Sequence, residues 1–182
     1  MNIILASNSP RRRELLAENG VKFSVVPSSF IEEENSGLPP EKYVEFLALG
    51  KAKAVFEKTG GVVIGADTIV VLNGEILGKP KDENDARAML KKLSSNSHEV
   101  ITGYAVITSE KTINSHETTL VTFNDLSSEL INSYVATGSP LDKAGGYGIQ
   151  DGFPLVSKIE GNYDNVVGLP TAKILQILTE LK

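Results

Sequence analysis

The chain has 182 residues, 41% of them hydrophobic, no cysteine and a formal net charge of −5. That length suits one buried core, as one domain or two tightly joined lobes, and the apolar content excludes a disordered chain. The acidic balance argues against a protein that coats nucleic acid, and the missing thiols exclude disulfides, thiolate metal sites and cysteine nucleophiles. No basic segment followed by an apolar stretch of signal length opens the chain, and no window has the length of a membrane span. The expectation is therefore a complete, cytoplasmic chain with no membrane and no nucleic-acid partner.

Ile3 to Ala6 reads as a short buried strand. A helix follows from Pro10, with Ser9 as N-cap, Pro10 at the first helical position and Gly20 as the stop. Val21 to Pro27 is strand-like, and Ser28 to Pro40 is a polar loop carrying Glu32, Glu33 and Glu34. The next helix spans about Pro40 to Lys58, with Val44, Leu47, Ala48 and Val55 as its apolar stripe, on which Lys51 also falls. Val62 to Leu72 and Glu75 to Leu77 form a hairpin around Asn73-Gly74, a type I′ signal. Asp82 caps a helix buried through Ala86, Met89, Leu90 and Leu93, and strands follow near Val100 to Ile107 and Thr118 to Phe123. Ser127 opens a helix buried through Leu130, Ile131, Tyr134 and Val135. A turn-rich stretch from Gly138 to Gly152 leads to a short strand around Leu155 to Ile159, a loop at Val166 to Pro170 and a closing helix. This order fits an α/β fold: a mixed, twisted sheet with flanking helices, in two lobes around a central cleft.

Two stretches carry chemistry. Ser7-Asn8-Ser9-Pro10-Arg11-Arg12-Arg13 places cations in a first helical turn, where they oppose the macrodipole unless an anion is held there. A solvated basic turn is the plainer alternative. Gly65-Ala66-Asp67-Thr68 sets a carboxylate inside an apolar run, a position that demands a cation or a metal. The hairpin brings Lys79 to the same sheet end and makes it the obvious partner of Asp67. In a perfect two-residue hairpin, however, Lys79 faces Thr68 and Pro80 faces Asp67, so direct pairing needs a bulge or a frayed end. Lys51 either snorkels or reaches a phosphate. The acidic run Glu32 to Glu34 is either solvated surface or an oxygen source for a hard cation such as Mg²⁺. Gly145, Gly146 and Gly148 permit close backbone approach, and Gln150 beyond them has an amide suited to the edge of a base. His98 and His116 have no second ligand at metal spacing and read as structural or solvated. No Walker-type lysine loop, dinucleotide fingerprint or Gly-x-Ser-x-Gly elbow is present.

At Ser7 to Arg12, Gly65 to Thr68, Gly78-Lys79-Pro80, Leu141 to Gln150 and Val167 to Pro170, the chain closely resembles the Maf family of nucleoside triphosphate pyrophosphatases. Five motifs fall in order across nearly the whole length. The resemblance implies an α/β fold and metal-dependent hydrolysis of a nucleoside triphosphate to the monophosphate and pyrophosphate. By motif, Asp67 corresponds to the proton acceptor, and Arg12, Lys51 and Lys79 to phosphate ligands, with Ser7 beside them. Glu33 corresponds to a metal or water ligand, with Glu32 as the alternative, and Asp67 shares the metal, Mg²⁺ or Mn²⁺. Arg11, Thr68 and Gln150 resemble the branch acting on dTTP and UTP. Gly146, where an alanine is usual, and Asp151-Gly152 depart from the pattern and bear on base selection. A nucleotide-binding regulator of cell division or septum formation is the rival reading, and a homodimer stays open.

Overall fold

A computed structural model describes all residues, 1–182. The strands are β1 (Ile3–Leu5), β2 (Ser24–Val25), β3 (Val62–Leu72), β4 (Glu75–Leu77), β5 (Ser97–Ile107), β6 (Thr112–Phe123) and β7 (Val156–Glu160). The helices are α1 (Pro10–Glu18), α2 (Pro40–Thr59), α3 (Glu83–Leu93), α4 (Ser128–Ala136), α5 (Tyr163–Val167) and α6 (Thr171–Glu180). One seven-stranded sheet runs β2-β1-β3-β5-β6-β7, with β4 on β3. β1 is parallel to both β2 and β3, whereas β3–β4 and β6–β7 are antiparallel, so the sheet is mixed as expected.

The chain divides into two compact units. The first comprises residues 1–68, 102–117 and 168–182, the second residues 69–101 and 118–167. In the first, Ile4, Ala6, Ala48, Ala52, Val55, Val63, Ala105 and Ile107 form a core between α2 and the sheet. Small residues let the layers approach. A Cβ on Gly65 would lie 2.5 Å from the Ala48 carbonyl oxygen, and one on Gly103 would lie 2.3 Å from that of Val44. In the second, Leu72, Leu77, Leu90, Leu93, Val121, Phe123, Ile131 and Tyr134 belong to one cluster.

Several local expectations are met at the atomic level. Ser9 accepts from the Arg12 N–H, Asp82 from Asp85 and Ser127 from Leu130, so all three caps work through the third residue of their helix. Asn73 and Gly74 have φ of 50° and 80°, as a type I′ turn requires. Other boundaries differ. Strand β2 keeps only two residues of the expected Val21 to Pro27, because only Ser24 and Val25 find partners on β1. β5 and β6 are longer than expected, their polar ends being carried by ladder pairing that periodicity cannot register. Val166 and Val167, read as loop, end the short helix α5, and the turn-rich stretch contains three 3₁₀ turns.

Candidate active site

The first unit gathers Ser7, Arg11, Arg12, Glu32, Glu33, Lys51, Asp67 and Thr68; Lys79 and Gln150 belong to the second. Arg12 is held as a fixed fork. Its Nε donates to the Gly168 carbonyl at 2.7 Å, Nη1 to Ser7 Oγ at 3.2 Å and Nη2 to Thr68 Oγ1 at 3.1 Å. Ser7, itself 8% exposed, also caps the Ser9 N–H, and Thr68 is braced by the Thr102 hydroxyl at 2.9 Å. Every one of these acceptors is neutral, so the guanidinium keeps its charge uncancelled by direct contact, and the bonds use only part of its donor set. Burial lowers the Arg12 pKa, Asp67 opposes that shift, and the neighbouring charge of Arg11 adds to it. The result is a rigid cation whose charge calls for an anion.

Asp67 takes its cation from α2. The Lys51 ammonium pairs directly with Asp67 Oδ1, and the two side chains are only 16% and 14% exposed. Lys79, expected as the partner, instead lies exposed past the last ladder pair of the hairpin, Val70↔Leu77. The reason is spacing. Gly65, Ala48 and Ala52 let α2 lie close on β3, and Lys51 sits on the same face of that helix.

Lys51 also meets Glu32 Oε1 at 2.6 Å, so two carboxylates converge on one ammonium. The acidic loop is pinned to α2 by residues that no sequence motif singles out. Ser28 donates to the Lys51 carbonyl at 3.0 Å, the Phe30 ring lies over Gly50, where any Cβ would come within 2.4 Å of it, and Tyr43 donates to the Glu33 carbonyl at 2.9 Å. Glu33 engages through its backbone, and its side chain is exposed. Glu32 is the loop carboxylate at the centre. The Tyr43 phenol is pushed up by burial first and then by the charges of Asp67, Glu32 and Glu34, which reports a negative field around that centre. Gly168 is a further residue to which the sequence reading assigned no role of its own. Its φ of 141° is open to glycine and strained for any L side chain, and it is what aims the carbonyl at Arg12.

The donor set suits a hard divalent ion in kind, since two carboxylate oxygens face one point. No cluster of three or more His, Cys, Asp or Glu stands ready to encircle a metal unaided.

The two histidines are structural. His98 bonds the Tyr147 hydroxyl at 2.6 Å inside the second unit, and His116 bonds Glu45 at 2.7 Å in the first.

A family model described as "Maf-like protein" matches residues 2–181. A protein named dTTP/UTP pyrophosphatase from Geotalea uraniireducens strain Rf4 is 52% identical over 184 residues, covering 99% of this chain and 95% of that protein. One of the same name from Aquifex aeolicus strain VF5 is 48% identical over 183 residues, covering 100% and 96%. Among solved structures, a HAM1 protein from Coxiella burnetii superimposes with a TM-score of 0.53 at 16% identity, covering 99% of each chain, which is a likeness of fold alone. No helix of this chain is long and apolar enough to cross a membrane.

Proposed function

The chain belongs to the family of Maf-like proteins, and from that membership together with the Arg12, Lys51 and Asp67 geometry we propose that it hydrolyses dTTP and UTP, or modified pyrimidine triphosphates, to the nucleoside monophosphate and pyrophosphate. The observation that carries the reading is Asp67: an acid held part-buried by one lysine, in the same unit as a rigid uncancelled arginine. A module that only bound triphosphates would gain nothing from a carboxylate facing them.

Water attacks the α-phosphorus, the bond from that phosphorus to the bridging oxygen breaks, and pyrophosphate leaves with the electron pair. Asp67 orients the water and accepts its proton. Lys51, freed from one carboxylate as phosphate oxygens arrive, and Arg12 offset the charge that develops in the transition state. Lys79 serves as a further phosphate ligand by its motif. Asp67 with Glu32, or with Glu33 by motif, would hold Mg²⁺ or Mn²⁺, which supplies neutralisation of the phosphate oxygens. Gln150 reads the base, with Arg11 assisting. Thr68 acts through Arg12, since its hydroxyl is spent on that fork. Residues 1–182 act as one domain in the cytoplasm, with the triphosphate as partner, and a homodimer is compatible with this chemistry.

The test is release of pyrophosphate and monophosphate from a panel of common and modified triphosphates with Mg²⁺ or Mn²⁺, in wild type and Asp67→Asn. Turnover is expected to prefer dTTP and UTP and to vanish in the variant while nucleotide binding persists, because the amide keeps the shape and loses the base. Turnover within a few-fold of wild type in the variant removes Asp67 from the mechanism. Binding without turnover in the wild type restores the regulator reading.

A further inference from the structure

The 3₁₀ turn Ile149–Asp151, which carries Gln150 and follows Gly148, is fastened at both ends to one oxygen atom. The hydroxyl of Tyr134, on the buried face of α4, accepts the Gly148 N–H at 2.8 Å and donates to Asp151 Oδ2 at 2.6 Å. The turn closes on itself as well, through the Asp151 N–H on the Gly148 carbonyl at 3.1 Å. Asp151 Oδ2 also accepts the Ser139 hydroxyl at 2.8 Å and lies 3.7 Å from Lys143 Nζ. Lys143 is 8% exposed, and its stem fills the space beside Gly148, where a Cβ would come within 2.7 Å of Lys143 Cε. Tyr147, just before the turn, is held from another side by His98 and packs edge-on against Phe123. Within residues 147–151, Gln150 alone is exposed.

Nothing in the hydrolysis itself uses this buried network. We propose that the Tyr134 hydroxyl and the Asp151 carboxylate are positioning residues for Gln150, fixing the turn in the conformation that selects a pyrimidine; the inference rests on the base-reading role given to Gln150 above. The double duty of Tyr134 requires a protonated phenol, and burial, followed by the hydrogen bond to Asp151, pushes its pKa up. Loss of the hydroxyl leaves the Gly148 N–H without its partner and frees one end of the turn from the other.

The variants are Tyr134→Phe, Asp151→Asn, Gln150→Ala and Tyr134→Phe combined with Gln150→Ala. The readouts are the affinities for α,β-methylene analogues of dTTP and GTP, which need no turnover, and kcat and KM for dTTP and GTP. In Tyr134→Phe, discrimination between the two bases is expected to fall about tenfold, as the turn released from one anchor no longer holds Gln150 in one conformation, and to appear in KM for dTTP. In the Gln150→Ala background the same substitution is expected to change discrimination no further. Asp151→Asn, which still accepts from Tyr134, is expected to lose less. Unchanged discrimination in a folded Tyr134→Phe, or a full additional loss in the double variant, overturns the proposal. Should Tyr134→Phe not fold, Asp151→Ala decides by the same ratio. A wild type that prefers the dTTP analogue without hydrolysing dTTP sinks the catalytic reading and leaves this one standing; a wild type that binds neither analogue overturns both.

Discussion

At the scale of single residues, the site depends on geometry as much as on charge. Arg12 spans Ser7, Thr68 and the Gly168 carbonyl with three different nitrogens, a reach that a lysine's single ammonium on a flexible stem cannot reproduce. Arg12→Lys is therefore expected to raise KM for every triphosphate together, by about tenfold or more, while leaving the preference among bases as it was. Steady-state kinetics on dTTP, UTP and GTP check this, and a change confined to one base would assign Arg12 to base recognition. The Arg12 position itself was legible in the sequence, because cations in a first helical turn need a reason. Its partners were less so: a serine, a threonine and a backbone carbonyl are ordinary residues until the fold brings them together.

At the scale of elements, the Lys51–Asp67 ion pair is a consequence of how closely α2 lies on the sheet. The expectation of an Asp67–Lys79 pair followed the hairpin, the only long-range pairing a sequence announces through its turn. Lys51 reaches Asp67 because Gly65 and Gly103 remove the side chains that would hold the helix off. Gly65→Ala and Gly103→Ala are expected to destabilise the protein by about 1–3 kcal/mol through overpacking against helix backbone. Activity should fall by more than stability explains, since the helix carries Lys51. Denaturant unfolding with kinetics at a temperature where the variants stay folded makes the comparison; an active, weakly destabilised Gly65→Ala would show that the spacing is slack. The helix caps and the hairpin turn, by contrast, were readable because each is decided within four residues.

At the scale of the whole molecule, folding is coupled to pH through His98. Burial depresses its pKa from 6.5 to about 4. The folded value lies below the unfolded one, so the neutral ring contributes stability that is fully present above pH 6.5 and is lost as pH falls from there towards 4. The span corresponds to about 3 kcal/mol by proton linkage. Chemical unfolding at pH 7.5 and 4.5 is expected to show this loss in wild type and a shallower one in His98→Gln; equal slopes would remove His98 as its source. The mixed α/β class, the three capped helix starts, the hairpin turn and the residue types of the candidate site were legible in the chain alone, because capping, turn chemistry and apolar periodicity are local properties. That Lys51 meets both Asp67 and Glu32, that Gly168 receives Arg12, and that one tyrosine oxygen ties both ends of the Gln150 turn are outcomes of tertiary packing. Those contacts join residues from 14 to 156 positions apart, and close packing of layers, which sets such distances, leaves no periodic trace in the sequence.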